Sequence, residues 1–266
     1  MTSNSPSIAS ARGRIVAIAG MAWLEARRTR LPWLVLGLAT AALLASVFAR
    51  SLTITESARV QTAFLAAGCR FAAIFVIGLH VLASQLREGQ DRVTELLLSL
   101  DLNRIEYLAG RALGHMGVAA AIAVVFWLPL AWIAPTGPGL AWLASLVLEA
   151  WVVVAAALFA ATSMTQLMPA ATFVFALYLL ARSVSTIVLV ATATPFVESG
   201  WSHELFGGVL RGLALVLPDL ARFTQADWLL GHPPTAGLVA MLAVQALLYV
   251  ALLLAAAAID LYRKNF

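Results

Sequence analysis

The chain has one cysteine, Cys69, and one lysine, Lys264, among its 266 residues. A lone cysteine excludes an internal disulfide framework and any multi-cysteine zinc site. A lone lysine two residues from the last position leaves no room for a GxxxxGK[ST] phosphate loop, so the chain cannot hydrolyse ATP by that route. A GxSxG nucleophile elbow and an HExxH pair are missing too, which removes the commoner signatures of hydrolytic chemistry. Charge is scarce: Asp, Glu, Lys and Arg make up 11% of the residues, against about 25% in ordinary soluble domains.

Apolar residues fill the space that charge leaves, at 62% of the chain. A membrane-crossing helix needs roughly 20 of them in a row to traverse about 30 Å of hydrocarbon. Six such blocks fit, at about 31–49, 64–85, 112–134, 140–166, 169–194 and 236–259. The expected fold is therefore an all-α membrane protein with six transmembrane helices. Residues 1–13 are Ser-rich and polar and read as a disordered cytoplasmic tail; residues 14–266 read as a single transmembrane domain.

A net charge of +4 raises the question of nucleic acid, but the arginines flank apolar blocks, as membrane topology requires. Five lie in the N-terminal segment, four in 86–111, and Arg263 and Lys264 follow the last block; Arg50, Arg59, Arg211 and Arg222 are left for the other side. Eleven against four puts both termini and the 86–111 connection in the cytoplasm. Between Arg14 and Arg30, Ile15, Ile18, Ala19, Ala22 and Trp23 recur at helical spacing and end in Glu25, Arg27, Arg28 and Arg30. This reads as a helix in the interface, with Trp23 at headgroup depth and the arginines meeting anionic lipid. The 41 residues from Pro195 to Thr235 form one long external connection. Within it Phe206 to Leu217 is too short to span and reads as re-entrant or interfacial.

Three ionisable residues, Arg70, Glu149 and Arg182, fall well inside the spans, where each costs roughly 2.5–3.5 kcal/mol on insertion scales unless paired or hydrated. Glu149 and Arg182 lie at matched depth on consecutive spans and are expected to meet. Tyr178, Ser185 and Thr186 share the Arg182 face, which lines a wet path or bonds a neighbouring helix. His80, His115, His203 and His232 with Met164 and Met168 read as anchoring and packing residues rather than metal ligands, and no metal site is expected. Gly110 and Gly114 form a GxxxG at the start of the third span, a motif permitting close helix approach.

The segment Leu86 to Arg111, LREGQDRVTELLLSLDLNRIEYLAGR, is the one connection dense in both acids and arginines. Its order of Glu88-Gly89, Glu95-Leu96-Leu97-Leu98-Ser99, Arg104, Glu106 and Gly110-Arg111 resembles the cytoplasmic connection of ABC-2 type transporter permeases. Where that family often has Gly-Thr and Pro, this chain has Asp91-Arg92-Val93-Thr94 and Asp101. The start with Glu25, Arg27, Arg28 and Arg30 is similar to the family's elbow helix, and Leu261 to Phe266 to its ending.

The resemblance implies a permease subunit that is no enzyme and carries no cofactor itself. ATP and Mg would belong to two ATP-binding subunits docked on a coupling helix between spans 2 and 3, at Glu88, Arg92, Glu95, Asp101, Arg104 and Glu106. It further implies a second permease copy or homologous permease, membrane lipids as the remaining partners, no nucleic acid, and a bacterial-type inner membrane with export as the direction. Arg70, Tyr178, Arg182 and Ser185 would approach the pathway. The alternative is a proton- or anion-coupled secondary transporter using Glu149, Arg70 and Arg182.

Overall fold

A computed structural model of the chain describes residues 8–52, 56–90, 103–133, 136–193 and 217–263, together with 208 and 212. Its helices are α1 (Ile8–Arg28), α2 (Leu31–Ser51), α3 (Ser57–Gln90), α4 (Arg104–Ala131), α5 (Thr136–Ser163), α6 (Leu167–Ala193) and α7 (Ala236–Arg263), with 3₁₀ turns at Leu220–Arg222 and Ala226–Leu230 before the last. There is no strand among the described residues. The six helices α2 to α7 are each long and apolar enough to cross a membrane, so the chain is a polytopic integral membrane protein. Arg92, Glu95 and Asp101, with the expected coupling helix, lie outside the described residues, as does nearly all of the expected re-entrant stretch 206–217.

Helix α5 is the hub, packed by α3, α4, α6 and α7. Trp142, Leu146, Ala150, Val154, Ala157 and Leu158 along it are all but sealed from the surface. By contrast α2 and α7 leave many large aliphatic and aromatic side chains exposed, Leu44, Phe48, Val244 and Leu252 among them. Outward aliphatics are stable here because lipid tails are as apolar as leucine. Pro32 sits in the first turn of α2, where its missing N–H breaks no helical bond.

Two expectations about boundaries change. Helix α1 begins at Ile8, so residues 8–13 are helical rather than part of a disordered tail. Helix α3, at 34 residues, is about 50 Å long at 1.5 Å per residue, well beyond the 64–85 block; the helical stretch continues through polar residues at both ends.

Helix α1 is held by glycines on α4. A Cβ added at Gly110 would meet Ile18 Cβ at 2.7 Å, and one at Gly114 would meet the Ala19 carbonyl oxygen and Ala22 Cβ at 2.8 Å. Ile18, Ala22 and Ala26, spaced four apart, are buried in this contact. The other side of α1 exposes Val16, Met21, Trp23 and Leu24.

Candidate functional site

Two polar clusters stand out from the apolar packing. The first is centred on Glu149, midway along α5 and completely buried, at 0% exposure. Its Oε1 accepts from Tyr178 Oη at 2.9 Å and from Arg182 Nη1 at 2.9 Å, both on α6. Its Oε2 accepts from Thr224 Oγ1 at 2.8 Å. Thr224 belongs to the segment that folds back into the bundle after the first 3₁₀ turn, and its N–H donates to Ser145 Oγ at 3.0 Å, one turn before Glu149 on α5. Arg182 also donates to the carbonyls of Leu220 at 2.8 Å and Phe223 at 3.3 Å. Arg70 on α3 approaches from the opposite flank, with Nη1 at 3.5 Å from the Thr224 carbonyl and its guanidinium 4.7 Å from the Phe71 ring centre.

This arrangement satisfies a buried carboxylate on both oxygens and offsets its charge, which is what low-dielectric burial demands. It also fixes a strained backbone: Thr224 has a φ of +46°, a left-handed conformation that a β-branched residue rarely adopts. Bonds from its N–H, hydroxyl and carbonyl over-determine that conformation, the condition under which such strain persists. Of the sequence-derived candidates, the structure brings Glu149, Tyr178, Arg182 and Arg70 together. Ser185 lies apart, in a groove between α6 and α7 shared with Asp219, Arg222 and Gln245. Ser145 and Thr224 were not anticipated. Ser145 could have been noticed four residues before Glu149, whereas nothing in the sequence marks the fold-back at Thr224.

The second cluster surrounds the two ends of the 86–111 connection. Glu88, near the end of α3, pairs with the buried Arg111 of α4, and Tyr107 Oη donates to Glu88 at 3.4 Å. Gln85, with its amide oxygen toward Arg111, accepts from Nε at 2.6 Å and Nη2 at 2.7 Å. Ser84 accepts from Arg111 at 3.3 Å and donates to Glu25 of α1 at 2.6 Å. On the outer side of α4, Glu106 takes a two-pronged contact from Arg14 of α1, at 2.8 and 2.9 Å. Arg104 donates to the carbonyls of Leu261 and Tyr262 on the last turn of α7. Asn103 caps α4 by accepting from the Ile105 N–H at 3.2 Å, and accepts from Tyr262 Oη at 3.3 Å.

Glu88, Arg104 and Glu106, expected as contacts for a partner, therefore have their charged groups engaged within the chain. Glu106 ties the α4 flank of the connection to α1, Arg104 ties it to α7, and Glu88 ties the α3 flank to α4. His80 and His115 lie with ring centres 5.8 Å apart, but among the described residues no three His, Cys, Asp or Glu side chains converge as metal ligands would. No family model matches the chain, and no curated protein matches it at a significant level.

Proposed function

We propose that the chain is the membrane-spanning permease subunit of an ABC transporter of the ABC-2 type, an exporter driven by separate ATP-hydrolysing subunits. Two such subunits, carrying ATP and Mg, dock on the 86–111 connection in the cytoplasm of a bacterial-type cell, and a second permease copy or homologue completes the pathway. The observation that carries this reading is the double anchoring of that connection. Its α4 end is fastened to α1 through Arg14 and Glu106 and to α7 through Arg104, and its α3 end to α4 through Glu88 and Arg111. A push on such a connection passes into four helices at once, the rigid transmission that a nucleotide-driven switch between two arrangements needs. Under this reading α1 is the interfacial elbow helix, and both termini are cytoplasmic.

The secondary-transporter alternative draws less support. Glu149, its natural proton carrier, already accepts from Tyr178, Arg182 and Thr224, which favours a fixed structural carboxylate.

The test is reconstitution. The purified chain alone is expected to show no ATPase activity; co-purification with a GxxxxGK[ST] protein encoded by a neighbouring reading frame should yield ATPase activity and nucleotide-dependent transport in vesicles. Transport driven by a proton gradient with no nucleotide present overturns the proposal.

A further inference from the structure

Helices α1 and α2 are separated by Thr29 and Arg30 alone, yet they pack on different neighbours. The glycines of α4 draw α1 inward, while α2 leans on α3. A wedge opens between them as an apolar slot of about 150 Å³, floored by Val118, Ile122 and Val125 of α4 and walled by Val35 of α2, with Trp23 and Arg27 of α1 also lining it. From Val118 to Val125 the floor runs about 10 Å along α4 at 1.5 Å per residue, long enough for the upper part of an acyl chain.

The charge at this corner is one-sided. Arg27 and Arg28 end α1 and Arg30 follows in the connection, all three exposed, and among the described residues no acid pairs with any of them. Glu25, the nearest acid in sequence, accepts instead from Ser84 on the inner side of α1. Trp23, 42% exposed, is the residue type that settles at headgroup depth. A dry apolar slot opening beneath unpaired arginines has the charge and shape of an anionic lipid, with the phosphate above and a tail below.

We propose that the α1–α2 corner binds a single anionic phospholipid, its phosphate on Arg27 under the added field of Arg28 and Arg30, and one acyl chain in the slot over Val118, Ile122 and Val125. This site depends only on the chain residing in a bilayer and is independent of the transporter reading. It completes the packing between α1 and α2 that the protein's own side chains leave open.

Native mass spectrometry of the full chain in non-ionic detergent, titrated with phosphatidylglycerol or with phosphatidylcholine, tests it. One phosphatidylglycerol per chain should be retained in preference to phosphatidylcholine, and inorganic phosphate should not displace it, since a free anion has no tail for the slot. Arg27→Gln should cost about a fivefold loss of phosphatidylglycerol affinity, the worth of one arginine at an anionic surface, while Arg27→Lys should keep it. Ala121→Phe, which fills the slot from α4, should remove the retained lipid; Ala121→Val, with less bulk, should weaken it, and serves if the larger change impairs folding. Equal retention of both lipids, displacement by phosphate alone, or retention unchanged by Arg27→Gln overturns the proposal. So does a dimer mass that retains no lipid.

Discussion

At the scale of single residues, the Glu149 cluster governs what the membrane interior tolerates. Removing Arg182 leaves the buried Glu149 short of its partner, and removing Glu149 leaves the part-buried Arg182 without its anion; breaking a buried pair costs about 3–5 kcal/mol. A thermal-stability cycle with Glu149→Gln, Arg182→Gln and the double variant is expected to show the double costing clearly less than the sum; an additive result removes the coupling. Thr224 offers a finer test, because its side chain helps and its backbone hurts. Thr224→Ala loses the bond to Glu149 and keeps the strain, whereas Thr224→Gly loses the same bond and relieves a left-handed conformation worth roughly 1–2 kcal/mol. Glycine should therefore be the milder substitution in the same melting assay, and a harsher one would show that the strain is not there. The ionisable members of this cluster were legible in the sequence, since a charge deep in an apolar run must find a partner. Thr224 was not, because its role comes from a backbone angle and a fold-back that only tertiary contacts create.

At the scale of elements, the close approach of α1 and α4 rests on two missing side chains. Gly114→Val would drive a branched side chain into the Ala19 carbonyl oxygen, part of a helix backbone that cannot rotate away. Overpacking of this kind costs about 1–3 kcal/mol. It should loosen α1 enough for trypsin to cut faster at Arg27 and Arg28, while Gly117→Ala, with nothing within 4 Å, should match the parent protein. Equal digestion of all three would mean that α1 is not held by this contact. The sequence disclosed the GxxxG but not its partner: glycines at this spacing permit a close neighbour without naming it, and α1 lies some 90 residues away. The early start of α1 was missed for a related reason. Its first residues, Ile8 to Gly13, carry no apolar periodicity of their own.

At the scale of the whole molecule, the six helices were plain in the sequence because hydrocarbon leaves so few solutions for a polar backbone. Their order of packing was not, since lipid-facing and protein-facing aliphatics look alike. Topology can be checked directly, and Cys69, completely buried, makes Cys69→Ser a quiet background. In it, an impermeant thiol reagent applied to intact cells should miss Arg92→Cys and reach Trp201→Cys; labelling at 92 inverts the orientation. The first turn of α4 carries a further consequence for how the protein is made. Arg14 reaches that turn from α1, and the last turn of α7 receives Arg104 from it, so this turn is finished only once α7, more than 100 residues further along, has left the ribosome. Until then Arg104 and Asn103 stand without the Leu261, Tyr262 and hydroxyl contacts that seat them. Nascent chains stalled before α7 would carry that turn unfinished, its α7 contacts still to form.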